Sequence, residues 1–351
     1  MKQRYRRSWR RGTLPVLAVL LAFAGLAACG GTDAATPASP GASAAGSPGV
    51  STSPGSLPVA VREFRGMLPF VFTQALVKDG PYRRTRTVGG VVQSRGAHWV
   101  YRDESSDPRL AGRNDVVINL DQRQSDMSGR LWGTGRLSNE GGSWVGKWTG
   151  GIAAGGDVHH VYLVVEGRGG YAGLVAHLSG WFVEAGEGFT PDVQIVGAGW
   201  MESADGGPVP PAPGPGTTPA AWTPVVGIAT TVQTAYDGSR PWIWDLAQSD
   251  PRVDGQVEGA VEEIGSPRAD GSIDFRASNT ITNPDGSWNT PAGPIEVRGP
   301  KPRYEHFIYS RSAGSGAYAG LTYHSFWYFP EPRPLEPGDT FVWTGWIDER
   351  E

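Results

Sequence analysis

A set of short sequence motifs, which we call phrases, occurs twice in the chain in the same order. This internal duplication limits the possible folds more than any other feature. Four phrases and one tryptophan recur at corresponding places: 106–109 with 249–252, 142–144 with 286–288, 171–174 with 318–321, 199–202 with 345–348, and Trp99 with Trp242. The offset drifts only from 143 to 147 residues. The sequence therefore indicates two copies of one domain that differ by small insertions.

Each copy has the hydrophobic pattern of β-strands. Val116, Ile118 and Leu120 alternate with more polar neighbours, and residues 273–278 repeat this pattern in the second copy. A period of two between clusters of Gly, Asp, Asn and Pro indicates strands with one buried face. We count about eight such segments per copy and no amphipathic helix beyond the first thirty residues. Because barrel closure removes exposed strand edges, we predict an all-β fold of two tandem antiparallel eight-stranded β-barrels.

Composition divides the chain into five predicted segments. Residues poor in bulky apolar side chains bury too little surface to become ordered, and a Pro-rich run favours an extended spacer. The segments are a signal peptide at 1–28, a disordered Ala/Gly/Ser/Pro tether at 29–58, the first barrel at 59–205, a Pro-rich linker at 206–224 and the second barrel at 225–351.

A glycine-rich stretch in each copy carries a resemblance to a known family. Residues 167–174 (Gly-Arg-Gly-Gly-Tyr-Ala-Gly-Leu) and 314–321 (Gly-Ser-Gly-Ala-Tyr-Ala-Gly-Leu) resemble the glycine–aromatic hairpin of the allene oxide cyclase and dirigent barrels. The resemblance implies a β-barrel and, as an activity, isomerisation or cyclisation of a hydrophobic substrate. No motif of this chain matches the catalytic acid of that family, so no catalytic residue is assigned. Residues 142–148 also resemble avidin and lipocalin barrels, which are the alternative fold.

The first thirty residues have the pattern of an export signal. Six basic residues precede an apolar run at residues 14–24, which is shorter than the roughly 20 residues that a spanning helix needs. Residues 26–29 (Leu-Ala-Ala-Cys) resemble the bacterial lipobox, which implies cleavage before Cys29 and lipid attachment to its sulfur. We therefore expect a lipoprotein anchored by Cys29 on the extracytoplasmic face of the cell membrane, with membrane lipid as its partner.

Charge and cysteine content exclude several classes of function. The formal net charge is −4, and removal of the six basic residues of the leader leaves −10. Such an acidic body argues against binding to nucleic acid and against electrostatic docking on anionic lipid. Cys29 is the single cysteine, so the chain forms no internal disulfide and keeps no cysteine nucleophile after lipid attachment.

Four histidines are the candidate ligand-binding residues, namely His159, His177, His306 and His324. If the hairpin turns centre near Arg168 and Ser315, the two histidines of each copy lie opposite each other. Paired imidazoles facing into a barrel are close enough to share a ligand or a proton. Two histidines supply only half of a usual zinc shell, so we expect no metal and no cofactor. The alternative is a packed or surface pair that the duplication has retained.

Several other residues have both a structural and a functional interpretation. Asp107 and Asp250 are expected to cap turns. Glu202 and Asp348 end the last strand of each copy, either as acids or as solvated strand ends. Eight tryptophans either form the core or line a ligand cavity: Trp144, Trp148, Trp181, Trp200, Trp288, Trp327, Trp343 and Trp346.

The sequence favours a binding protein, either for a small apolar ligand or for another protein of the cell envelope. Two alternatives remain open. One is the isomerase or cyclase that the family resemblance implies, and the other is a structural pairing module. No Ser-His-Asp arrangement and no phosphate-binding loop can be assigned, so the sequence does not favour an enzyme.

Overall fold

The computed structural model describes residues 64–152, 159–183, 193–219, 221–234, 240–264, 273–298, 304–331 and 335–349. The predicted signal peptide, the tether and Cys29 lie outside the described residues. Helical structure within the described ranges is limited to one-turn segments, so none has the length or apolarity of a membrane-spanning helix.

The first copy forms a closed barrel with one additional strand. Its strands are β1 (Leu68–Lys78), β2 (Arg84–Val88), β3 (Val91–Ser105), β4 (Gly112–Arg123), β5 (Gly129–Asn139), β6 (Gly142–Ile152), β7 (His159–Gly169), β8 (Leu174–Phe182) and β9 (Val193–Ser203). Antiparallel neighbours follow the order β1-β9-β8-β7-β6-β5-β4-β3, and β1 also pairs with β3, which closes a ring of eight. Strand β2 pairs with β3 and lies outside the ring. We call this domain barrel 1.

The second copy, barrel 2, is a closed ring of eight strands in sequence order. The strands are β10 (Trp222–Gln233), β11 (Trp242–Gln248), β12 (Gly255–Ile264), β13 (Ile273–Asn283), β14 (Gly286–Arg298), β15 (Tyr304–Gly316), β16 (Thr322–Glu331) and β17 (Thr340–Asp348). The prediction of two tandem antiparallel eight-stranded barrels is confirmed.

Strand alternation sends every second side chain into the barrels, and aromatic residues pack there. In barrel 2, Trp244 makes edge-to-face contacts with Trp327, Phe341 and Trp343 at centroid distances of 5.1–5.8 Å. The predicted tryptophans that belong to the two cores are Trp144, Trp148, Trp288, Trp327 and Trp343. These five are core residues, as one of the two interpretations proposed.

The duplicated phrases meet at one end of each barrel and close it. In barrel 1, Asp107 caps a one-turn 3-10 helix by accepting a hydrogen bond from the backbone N–H of Arg109 at 3.0 Å. The indole N–H of Trp144 donates to the Arg109 carbonyl at 2.8 Å, and the Tyr171 ring stacks on Trp144 at 5.3 Å. Because Asp250 caps the equivalent turn of barrel 2, both capping predictions are confirmed.

The barrels pack against each other through equivalent outer faces. Strand β1 contacts β10, β9 contacts β17, and β8 contacts β16. The apolar residues of this interface are Val71, Val196 and Ala198 from barrel 1 and Trp222, Phe326 and Trp346 from barrel 2. The Thr344 hydroxyl also donates to the Gly199 carbonyl at 3.3 Å. Since the same strands of both copies meet, the interface has the form of a two-fold dimer contact within one chain.

The predicted linker packs along the closed end of barrel 1. The Arg109 guanidinium donates to the Pro210 carbonyl at 2.8 Å, and the Thr217 backbone N–H donates to the Ser105 carbonyl at 2.8 Å. Strand β10 begins at Trp222, within the segment predicted as linker. The linker therefore takes part in the packing of barrel 1.

Candidate functional site

Strand register separates the two predicted histidine pairs. The backbones of His159 and His306 are described, but their side chains lie outside the described residues. Across the two hairpins, His177 pairs with Val164, His324 with Arg311 and His306 with Phe329. His159 pairs with Ile152 on the other neighbouring strand and is not part of the β7–β8 ladder. The prediction that each histidine faces its counterpart is therefore wrong.

The position of the turn explains this error. Strand β7 ends at Gly169 and β8 begins at Leu174, so Tyr171 lies in the turn and not on the outgoing strand. Gly173 adopts a φ of +89°, which favours glycine, and the turn is closed by a hydrogen bond from the Leu174 N–H to the Tyr171 carbonyl at 3.1 Å. The hairpin therefore centres C-terminal to Arg168, and the histidines fall out of register.

The two described histidines face outward, which is a second correction. Ala176 and Leu178, on either side of His177, point into the core of barrel 1, so His177 points to the outer face. Tyr323 points into the core of barrel 2 in the same way, which places His324 outside. Neither imidazole faces a barrel interior, which the hypothesis of a ligand shared inside the barrel requires.

His177 is held by three neighbours on the outer face of barrel 1. Its ring stacks on Trp200 at a centroid distance of 4.4 Å and an angle of 3°. Its Nε2 lies 3.1 Å from Oε1 of Glu202, and its Nδ1 lies 3.0 Å from the Tyr162 hydroxyl. Because a carboxylate only accepts, Nε2 donates to Glu202 and Nδ1 accepts from Tyr162. Burial lowers the pKa of His177 and so favours this neutral ring, although the interaction with Glu202 acts in the opposite direction.

His324 repeats this geometry at the interface between the barrels. It stacks on Trp346 at 4.3 Å, and its Nδ1 lies 2.7 Å from the Tyr309 hydroxyl. The Tyr309 ring contacts Trp181 of barrel 1 at 5.1 Å, and the His324 side chain is buried. The packing interpretation therefore describes His324, whereas His177 is connected to an open surface through Tyr162.

That surface is a groove of about 880 Å³ on the outer face of barrel 1. The groove crosses strands β5, β6 and β7 and reaches the end of β4. Six of the side chains that line it define what we call the barrel 1 groove, namely Asp121, Arg130, Trp132, Lys147, Tyr162 and Glu166. An aromatic surface bordered by charged groups of both signs can bind a ligand that has a flat apolar face and polar edges.

Trp132 is fixed in the groove by its neighbours. The Arg95 guanidinium lies 4.7 Å from the centre of the Trp132 ring, and Arg95 also forms an ion pair with Asp121 at 2.7 Å. The Trp132 backbone carbonyl accepts a hydrogen bond from Asn119 at 3.2 Å. These contacts orient the indole before a ligand arrives, which reduces the cost of ordering on binding.

Barrel 2 has the strands that correspond to the groove, but most of the compared lining residues differ. Because equivalent strands start or end at equivalent residues, the positions can be compared directly. Of the groove residues, Trp132 corresponds to Arg276, Lys147 to Pro291, Glu166 to Ala313 and Tyr162 to Tyr309. Trp132 and the charges of Lys147 and Glu166 are therefore particular to barrel 1, whereas the tyrosine is common to both copies.

The interiors of the two barrels also differ. In barrel 1, Gln74, Asp103 and Asn114 form a buried polar cluster that we call the interior triad. Both amides donate to Oδ2 of Asp103 at 2.8 Å, and Oδ1 has no hydrogen-bond partner among the described residues. Burial raises the pKa of Asp103 to about 7, although the two hydrogen bonds oppose that shift. The equivalent residues of barrel 2 are Ala229, Leu246 and Val257, all in its apolar core.

Sequence reasoning identified His177 and Glu202 but missed the groove and the interior triad. A residue-by-residue comparison of the two copies would have indicated both features, because Trp132 is aligned with Arg276 and Asp103 is aligned with Leu246. Within the described ranges, no group of three or more metal-ligating side chains comes together. Comparison of the chain with protein-family models, with curated proteins and with solved structures found no match.

Proposed function

We propose that this protein is a lipid-anchored extracytoplasmic binding protein that holds a small ligand in the barrel 1 groove. The observation that supports this function is the groove itself, with Trp132 oriented by Arg95 and with Tyr162 hydrogen-bonded to His177. Two acidic and two basic side chains border the aromatic surface, so the groove selects neither strongly anionic nor strongly cationic ligands. The ligand class is a small, weakly charged molecule with a flat apolar face.

Barrel 2 serves as the scaffold in this proposal. Its interior is packed with tryptophan, and its copy of the tyrosine–histidine pair is covered by Trp181 of barrel 1. The faces that a pairing module would present to a partner already meet within the chain. These features favour ligand binding over a purely structural role.

The ligand site can be tested with N-phenylnaphthylamine, an uncharged aromatic probe whose fluorescence rises in apolar surroundings. We expect saturable binding to the full chain and a Kd about ten-fold weaker in Trp132→Arg, which installs the residue of barrel 2. Loss of an aromatic contact costs about 1.5 kcal/mol, which corresponds to that factor.

The matched control is Arg276→Ala, at the equivalent and exposed position of barrel 2, which should bind the probe like the unaltered chain. Equal affinity of Trp132→Arg and the unaltered chain would contradict a site at the groove.

The anchor rests on the lipobox-like residues 26–29 and has its own test. Metabolic labelling with a fatty-acid analogue should tag the protein, and Cys29→Ala should abolish the label and release the protein from membranes or block its processing. Two acyl chains give stable attachment, whereas one chain is marginal. Labelling that persists in Cys29→Ala would show that the lipid is attached elsewhere.

A further inference from the structure

Barrel 1 carries an insertion that barrel 2 lacks. Val71 and Val226 are equivalent, since each backbone N–H donates to the serine hydroxyl of its copy, and their offset is 155. Trp99 and Trp242 have an offset of 143, so barrel 1 contains 12 more residues between these points (155 − 143). The additional residues build strand β2 and the first part of β3. We call residues 83–92 the tip hairpin.

The tip hairpin ends in an exposed apolar turn. Gly89 and Gly90 both have positive φ, at 55° and 77°, which defines a two-residue turn that matches the twist of a hairpin. Val88 pairs with Val91 across this turn, and the Val88 side chain is 51% exposed. About half of the Val88 side chain is therefore not buried within the protein, and this apolar surface is available to another phase.

Exposed arginines lie along the strand that leads to this apolar turn and just before it. Arg83, Arg84 and Arg86 are exposed, and residues 81–92 contain no acidic residue. On the neighbouring strand, Arg123 is directly opposite Val91. This concentration of positive charge contrasts with the net charge of −10 of the chain after its leader. Salt screens charges beyond about 10 Å, so the local charge of the hairpin, and not the overall charge, governs a contact at its tip.

We propose that the tip hairpin is a membrane-contact element that inserts its valines into the headgroup layer of an anionic bilayer. This inference rests on the proposed membrane attachment. The arginines supply the complementary charge, because guanidinium groups bind lipid phosphates and each basic residue near an anionic surface favours binding. Arginine on an outer strand also discourages strand pairing between proteins, but that role requires no exposed valine at the turn.

The single cysteine of the chain allows a local measurement. In Cys29→Ala/Val88→Cys, the thiol at the hairpin tip is the only one present and can be labelled with the environment-sensitive fluorophore NBD. With vesicles of equal phosphatidylglycerol and phosphatidylcholine, the emission should shift to the blue and increase. With phosphatidylcholine vesicles at the same lipid concentration, it should change little. The six basic residues of the leader also favour the anionic vesicles, so a label elsewhere on the same chain is needed to separate their effect from that of the hairpin.

Two further sets of variants test the role of the arginines and the position of the contact. Adding Arg84→Ser and Arg86→Ser should weaken binding to the anionic vesicles by about five-fold for each arginine removed. In Cys29→Ala/Val232→Cys, the label is placed on an exposed valine at the corresponding end of barrel 2 and should not respond. Unchanged emission at position 88, or an equal response at position 232, would overturn the proposal. Because the lipid anchor is absent from every sample, these outcomes are independent of the labelling test of Cys29 and of the groove test.

Discussion

At the scale of single residues, the interior triad distinguishes two barrels of one ancestry. Oδ2 of Asp103 accepts two amide hydrogen bonds, and its other oxygen is buried without a partner among the described residues. An ionised carboxylate in such a place carries a large desolvation cost, so the protonated form is favoured up to neutral pH. Barrel 2 removes this cost with Leu246 at the same position.

The pKa shift of Asp103 makes stability depend on pH in a defined direction. The pKa is raised from an ordinary value near 3.9 to about 7, so between these values the folded chain binds a proton that the unfolded chain has lost. The free energy of unfolding should therefore fall as pH rises from about 4 to about 7, by at most about 4 kcal/mol from this group.

Asp103→Asn should flatten that part of the profile, as measured by urea unfolding between pH 4 and pH 8. Asp245→Asn, at an exposed position of barrel 2, is the control and should keep the slope of the unaltered chain. A slope that survives in Asp103→Asn would assign the titration to another group. Transplanting the residues of barrel 2 as Gln74→Ala/Asp103→Leu/Asn114→Val should remove the same slope without leaving a buried amide unpaired.

At the scale of strands and hairpins, the sequence predicts which residues form strands better than it predicts which residues meet. Alternation identified the strand that contains Val116 and Ile118 because a buried face requires a period of two. The duplication then implied that both copies share one fold, and the structure confirms this. Strand number followed from a count of the alternating segments, and closure followed from edge protection.

Register depends on the conformation of a few turn residues, which periodicity does not report. The stretch after Arg168 offers several glycines, and placing Tyr171 in the turn moves every later residue relative to strand β7. The contact that selects this register is distant in sequence, since Tyr171 stacks on Trp144 at the barrel end. The wrong histidine pairing follows from this long-range contact, whereas the outward direction of His177 follows from its position between Ala176 and Leu178.

The groove was not predictable from any one strand. Trp132, Lys147 and Tyr162 lie on three successive strands and face outward, where polar and aromatic residues are ordinary. Their significance comes from their convergence and from the different residues of the second copy. Comparing the copies position by position would have separated Trp132 from the general content of aromatic residues.

At the scale of the whole molecule, duplication has produced a pair of barrels with different outer surfaces and interiors. The interface uses β1, β8 and β9 with their equivalents β10, β16 and β17, and it covers the tyrosine–histidine pair of barrel 2 with Trp181. Barrel 1 keeps its own pair beside an open groove and adds the tip hairpin. The proposal therefore places ligand binding and membrane contact on barrel 1 and rigid support on barrel 2.

The most direct test of this division is an indole N–H NMR titration of the ¹⁵N-labelled chain. Trp9 lies in the predicted leader, and the other 13 of the 14 tryptophans give one side-chain signal each and include residues of the groove, both cores and the interface. In a titration with N-phenylnaphthylamine, the signal of Trp132 should shift most, and those of Trp244 and Trp343 in the core of barrel 2 should stay in place. Saturable shifts of the barrel 2 signals with an unmoved Trp132 would contradict the account.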